Sequence, residues 1–214
     1  MMHRNHGIQL NDIFRSDFME KALEIYGFSK KNDYPSLSRE LKRYKSRLKI
    51  PPKISGFFNF GENFIQKIEI DNNNFYEVTW SILVAKKMIK KYTPPLLEFS
   101  LKEIINLVDQ RWINESHLSI ALNNNAPIIM ASYPPMVTKD KVLIIDGNHR
   151  VTSKYKDGQK KILGYMLEPQ QHLKAMITEA HRRLYKIHAN YYKIASYIGG
   201  TISEKELNET LYQL

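Results

Sequence analysis

The stretch Val142-Leu143-Ile144-Ile145-Asp146-Gly147-Asn148-His149-Arg150-Val151-Thr152-Ser153-Lys154-Tyr155-Lys156-Asp157-Gly158 sets a strand, a turn and a helix end to end. Val142-Leu143-Ile144-Ile145 is apolar throughout, as a strand covered on both faces should be. Asp146-Gly147 is turn chemistry, and Val151 to Asp157 predicts a helix closed by Gly158. A strand running directly into a helix start gathers free backbone amides at one point, where they attract anions. The residues there suit a phosphate. Gly147 allows close backbone approach. Arg150 carries a permanent charge on a planar fork. His149 can donate a hydrogen bond or exchange a proton near neutral pH. Thr152 and Ser153 offer hydroxyls in the first helical turn, and Asp146 suits a metal ligand or general base. The same letters also fit an ordinary turn followed by solvated side chains.

Around this stretch, short strands and helices alternate. Downstream, Lys161 to Leu167 predicts a strand. Upstream, Pro127 to Ala131 predicts another, Glu115 to Leu122 a short helix capped by Asn114, Ser100 to Val108 a helix or turn capped by Ser100, and Leu96 to Phe99 a short strand. Pro94-Pro95 marks the clearest boundary in the chain. Before it, residues 1–92 read as a mostly helical region with one hairpin. Asp12 to Gly27 and Ser36 to Leu48 have helical spacing, Phe64 to Ile70 and Phe75 to Thr79 alternate as strands about the turn residues 71–74, and Trp80 to Tyr92 returns to helix. After residue 168, residues 170–198 read as one long helix ended by Gly199-Gly200, and Ser203 with Glu206 opens a last one. The expected class is α+β: a compact central unit at 93–168, a helical N-terminal region at 1–92 and a C-terminal helical extension at 169–214.

Composition limits the chemistry. The 214 residues are 43% hydrophobic and 25% charged, enough for a sizeable core. No run approaches the roughly 18 to 20 apolar residues of a membrane span, and residues 1–30 lack the apolar stretch of a signal peptide, so the expected location is the cytoplasm, away from membranes. With no cysteine, disulfides, thiolate metal sites and cysteine nucleophiles are excluded. The 32 Lys and Arg against 22 Asp and Glu give a net charge of +10, which favours polyanionic partners, although a lysine-rich composition also serves solubility alone.

Three segments together resemble the ParB/sulfiredoxin-like superfamily: Pro127-Ile128-Ile129-Met130, then Val142 through Asp146-Gly147-Asn148-His149-Arg150-Val151, then Asp157-Gly158-Gln159-Lys160-Lys161-Ile162-Leu163-Gly164-Tyr165. Arg111-Trp112-Ile113-Asn114-Glu115-Ser116-His117-Leu118 is similar to the segment that leads into that family's first helix. The resemblance spans residues 93–168. It implies a compact α+β domain that binds a nucleotide (ATP, ADP or CTP, with Mg²⁺) and lays its G-x-H-R segment on the phosphates, so that Gly147, Asn148, Arg150, Thr152 and Ser153 become its binding residues. Asn148 stands where sulfiredoxins carry their catalytic cysteine. The Arg-rich box and downstream helix-turn-helix of the partition proteins are not evident. The nearest members in letters are free-serine kinases with D-G-H-H-R, from which Asn148 alone departs. The resemblance then implies phosphoryl transfer or nucleotide hydrolysis, with Asp146 and His149 catalytic, Asp146 also on the metal, and an upstream glutamate as base. Glu115 holds that position by segment, with Glu98 and Glu103 as alternatives.

The alternative reading is a DNA-binding module of partition, plasmid or phage type, with nucleotide as a switch or absent. It rests on the basic face Arg39, Lys42, Arg43, Lys45 and Arg47, which an exposed helix explains equally well. His181-Arg182-Arg183 and His188 are expected on a solvated helix face. Tyr191, Tyr192 and Tyr197 are expected in the core. His3 and His6 have no partner pattern that suggests a metal.

Overall fold

A computed structural model describes residues 8–10, 13–48, 61–69, 74–134 and 142–214. Residues 71–73 of the expected turn, together with Asp12, Ile70, His3 and His6, lie outside the described residues. The N-terminal elements are β1 (Ile8–Gln9), α1 (Ser16–Ile25), α2 (Leu37–Leu48), β2 (Asn63–Glu69), β3 (Phe75–Ser81) and α3 (Ile82–Tyr92). Then follow β4 (Leu96–Ser100), α4 (Leu101–Ile104), α5 (Leu118–Leu122), β5 (Ile128–Ser132), β6 (Val142–Asp146), α6 (Asn148–Lys156) and β7 (Lys161–Leu167). The chain closes with α7 (Pro169–His172), α8 (Glu179–Ile198) and α9 (Glu204–Thr210). The fold is α+β, as expected.

Two sheets organise these elements. The larger runs β4-β7-β5-β6, with β5 and β7 parallel and the other neighbours antiparallel. Its apolar strands divide by alternation, because successive side chains leave opposite faces. Ile128, Met130 and Ile144 enter a core with Leu101, Ile104, Val151 and Ile162, under α4 and α6. Ile129, Ala131 and Ile145 enter the other core with Trp80, Leu184, Tyr185 and Ile194, under β3 and α8. Each such side chain removed from water contributes about 1.5–3 kcal/mol. Burial on both faces accounts for the unbroken apolar runs of β5 and β6.

The smaller sheet runs β1-β3-β2 and is antiparallel. The expected hairpin is present, with Phe64 opposite Trp80. Strand β3 extends two residues beyond Thr79, so Trp80 belongs to the sheet, fully buried, and α3 begins at Ile82. Ser81 then caps α3 by accepting from the Val84 amide.

The single helix expected over 170–198 is corrected. It divides into α7, a 3₁₀ turn at Leu173–Ala175, and α8. Between them Met176 bridges to Trp80, and the Ile177 amide donates to the Thr79 carbonyl. Among the described residues β1 pairs with Phe75 and Tyr76 alone, and beyond them β3 takes up Met176 and Ile177 at Trp80 and Thr79. The Thr178 hydroxyl caps α8 by accepting from the His181 amide.

Burial of α8 on most of its circumference also corrects the solvated face expected for its histidines. His181 is buried and accepts from the Thr79 amide at 3.2 Å. His188 shares a 2.6 Å hydrogen bond with the Tyr76 hydroxyl, which also meets Tyr133 at 2.8 Å. Arg182 and Arg183 pair with Glu179. Tyr191 is core, as expected, and Tyr197 packs partly buried against that core, edge-on to Tyr34, while Tyr192 is half-buried outside the core and packs edge-on against Tyr26.

Candidate functional site

The motif sits where β6 turns into α6. Asp146 ends the strand opposite Ile129, and Gly147 follows at φ +108°, a conformation that L side chains rarely adopt. A Cβ on Gly147 would lie 2.5 Å from Ile128 Cγ2 and 2.9 Å from Arg150 Nη2. A Cβ on Gly164, on β7, would lie 2.5 Å from Ile128 Cγ1. Ile128 is thus wedged between two glycines, which brings β5, β7 and the β6–α6 turn into direct contact.

Helix α6 starts at Asn148, inside the motif, three residues earlier than the spacing predicts. The Val151 amide donates to the Gly147 carbonyl at 2.9 Å, so the amides of Asn148, His149 and Arg150 precede the first intrahelical bond and have no carbonyl of their own helix to meet.

The side chains of this turn are held from several directions. Arg150 Nη2 donates to Asp146 Oδ1 at 3.1 Å and to the Pro127 carbonyl at 3.4 Å, while its Nε is buried without a partner. Asn148 Nδ2 donates to the Ile144 carbonyl at 3.1 Å, and its Oδ1 is likewise buried and unpartnered. Asp146 Oδ2 makes no hydrogen bond but stands 3.5 Å from the Lys86 ammonium of α3, an ion pair. His149 Nε2 accepts from the Asn114 amide at 3.0 Å, which requires a neutral ring with its proton on Nδ1. Burial, then the His117 ring whose centroid is 5.5 Å away, push the His149 pKa below its ordinary value, against a smaller opposing pull from Glu62.

Two clefts share this turn. One, of about 330 Å³, is lined by residues 146–150 with Glu62 and, from the α5 side, His117, Ile120, Ala121 and Asn124. The other, of about 220 Å³, is lined by Asp146 to His149 with Glu62, Phe64, Ile65 and Ile82. The arrangement can bind an anion at the helix start and present to it a guanidinium, a neutral imidazole N–H and two carboxylates.

Asp146, Gly147, Asn148, His149 and Arg150 are therefore brought together. The other expected residues are placed elsewhere. Thr152 and Ser153 are buried in α6 outside both clefts, with Ser153 Oγ donating to the Arg150 carbonyl. The Glu115 carboxylate pairs with Lys156 at 2.9 Å, at the opposite end of α6. Glu98 pairs with Lys161 on the sheet, and Glu103 is exposed on α4. Arg39, Lys42, Arg43, Lys45 and Arg47 form the exposed face of α2, whose Leu41 and Tyr44 are buried. Arg43 in that face is paired with Glu40 and Arg39 donates to Ser36.

Sequence reasoning missed Glu62, Lys86, Asn114, His117 and Asn124. Glu62 arrives through its backbone, since its carbonyl accepts from the Ile82 amide. Lys86 is one of four lysines close together on α3, Lys86, Lys87, Lys90 and Lys91, which the sequence does not tell apart. The loop that carries Asn124 is anchored on either side of it by Lys154, a buried α6 lysine that donates to the Leu122 carbonyl and to Asn125 Oδ1.

Among the described residues no group of three or more His, Asp and Glu is placed to hold a metal unaided, and no helix is long and apolar enough to cross a membrane. Comparison with family models, with curated proteins and with solved structures returns no match to this chain.

Proposed function

We propose that the protein is a nucleotide-binding member of the ParB/sulfiredoxin-like class, with phosphoryl-transfer or nucleotide-hydrolysing activity at Asp146-Gly147-Asn148-His149-Arg150. One observation carries this reading: the first turn of α6 opens on a cleft with three amides outside the helical ladder, beside a buried Arg150 whose Nε lacks a partner. Helix-start amides and an arginine fork are a phosphate's natural ligands. The meeting of Pro127, Ile128, Gly147, Arg150 and Gly164 adds support, because these residues come from the separate segments that carry the resemblance.

In this reading the amides and Arg150 hold the phosphates, Asp146 orients Arg150 through their 3.1 Å bond, and neutral His149 donates from Nδ1 to charge developing on the transferring group. Mg²⁺ fits the residues present in place of the Lys86 ammonium: Asp146 Oδ2 has that 3.5 Å ion pair and no hydrogen bond, and Glu62 lines the same cleft, and this ion takes one or two carboxylates together with phosphate oxygens. Bound there, it would neutralise phosphate charge. Glu62, which lines the cleft while Glu115 does not, replaces Glu115 as the upstream carboxylate able to take a proton from an attacking hydroxyl or water. The test is whether ATP, ADP or CTP with Mg²⁺ raises the unfolding temperature, and whether that rise depends on Arg150.

A DNA-binding reading keeps one observation in its favour. Lys42, Lys45 and Arg47 are exposed on α2 and pair with no acid among the described residues. If this face contacts DNA, affinity falls steeply with salt, and removing each of these cations lowers the log–log salt slope by about 0.9. Absent or salt-insensitive binding discards it.

A further inference from the structure

We infer that the α5 wall of the larger cleft is a nucleoside subsite, with Ile120 covering the face of the base and Asn124 donating to its edge. This rests on the phosphate reading above and extends it to the other half of the ligand. Ile120 and Ala121 of α5, with His117 from the 3₁₀ turn before it and Asn124 from the loop after it, line the cleft opposite the first turn of α6. Ile120 is 73% exposed, more than any other large hydrophobic among the described residues. An isoleucine left largely in water on a cleft wall gains free energy when an apolar surface, such as the face of a base, covers it.

Asn124 is oriented for its task. Its Oδ1 accepts from the Ala126 amide at 2.9 Å, so the side-chain oxygen is committed to the turn and the amide nitrogen is left as a donor. Every nucleobase presents ring-nitrogen or carbonyl acceptors that this donor matches. The cleft volume of about 330 Å³ is at the lower end of small-molecule pockets, roughly 300–1,000 Å³. Lys154 fixes the wall by binding the last carbonyl of α5 and the following loop, so the subsite is formed before the ligand arrives.

Calorimetric titration of the full chain with Mg²⁺ and either tripolyphosphate or each of ATP, CTP, GTP and UTP tests this. At least one nucleoside triphosphate should bind at least roughly tenfold more tightly than tripolyphosphate. Ile120→Ala should remove most of that advantage, about tenfold for the contact area lost, and leave tripolyphosphate affinity unchanged. Asn124→Asp, which keeps the bond to the Ala126 amide but removes the donor, should weaken the nucleotide by more than it weakens tripolyphosphate, whose loss reports the added charge alone. Because Ile120 is exposed, its loss should leave the unfolding temperature of the free chain unchanged. Equal affinity for tripolyphosphate and all four nucleotides would overturn the subsite and leave the phosphate grip standing, as would an Ile120→Ala variant that binds every ligand as wild type does. Binding of none of them overturns both.

Discussion

At the scale of single residues, Gly147 is the position on which the site most depends. Its φ of +108° and the 2.5 Å approach that a Cβ would make to Ile128 act together, so relief of one leaves the other. Gly147→Ala should cost about 3 kcal/mol or more, combining left-handed strain of roughly 1–3 kcal/mol with overpacking against β5. Denaturant unfolding measures this, and a loss below about 1 kcal/mol would mean that the turn is not held as described. The need for glycine here was readable from Asp-Gly after an apolar strand. The neighbouring Gly164 was not, because its constraint comes from Ile128 across a parallel pair and has no local signature. The same division separates the site residues. Asp146 to Arg150 are contiguous and were legible as a phosphate motif, whereas Glu62, Lys86 and His117 reach it from three distant segments.

At the scale of elements, α7 is joined to both sheets by one histidine. His172 is fully buried, its Nε2–H donates to the Ser132 carbonyl at 2.8 Å and its Nδ1 accepts from Trp80 Nε1 at 3.4 Å. The bond from Trp80 requires the neutral ring, and burial brings its pKa down to about 4 against the opposing pull of the Ser132 carbonyl. The unfolded chain therefore binds this proton near pH 6.5 and the folded chain only near pH 4. The stability contributed is complete above about pH 6.5 and is lost as pH falls toward 4, by about 3 kcal/mol in all. His149, shifted in the same direction, adds to the loss. His172→Gln, able to make both bonds without titrating, should flatten that part of the stability–pH curve. An unchanged curve would show that His172 is not the group responsible. Strand and helix positions followed from local pattern, since β5, β6 and β7 needed only apolar runs and turn residues. The break between α7 and α8 was hidden because residues 176–178 keep a helix-compatible pattern, and what extends them is the edge of β3, a tertiary contact. The buried histidines of α8 were misread for a similar reason: their partners, Tyr76 and the Thr79 amide, lie on a strand about a hundred residues away.

At the scale of the whole molecule, the larger sheet holds a helical layer on one face and the smaller sheet with α8 on the other, and the β6–α6 turn emerges between them. The clefts lie where the two layers part, so the proposed phosphate grip draws Glu62 and Lys86 from the N-terminal region and Asp146 to Arg150 from the central one. Ligand binding should therefore stabilise the chain as a unit, with a gain of about 2.7 kcal/mol at a ligand concentration one hundred times Kd. The most direct measurement is the unfolding temperature of the wild type and of Arg150→Lys, which keeps the charge but not the fork, with and without Mg²⁺ and each of ATP, ADP and CTP. The account predicts a concentration-dependent rise for the wild type with at least one nucleotide, and little or none for Arg150→Lys measured against its own ligand-free baseline. No rise with any nucleotide, or an equal rise in both proteins, would contradict it.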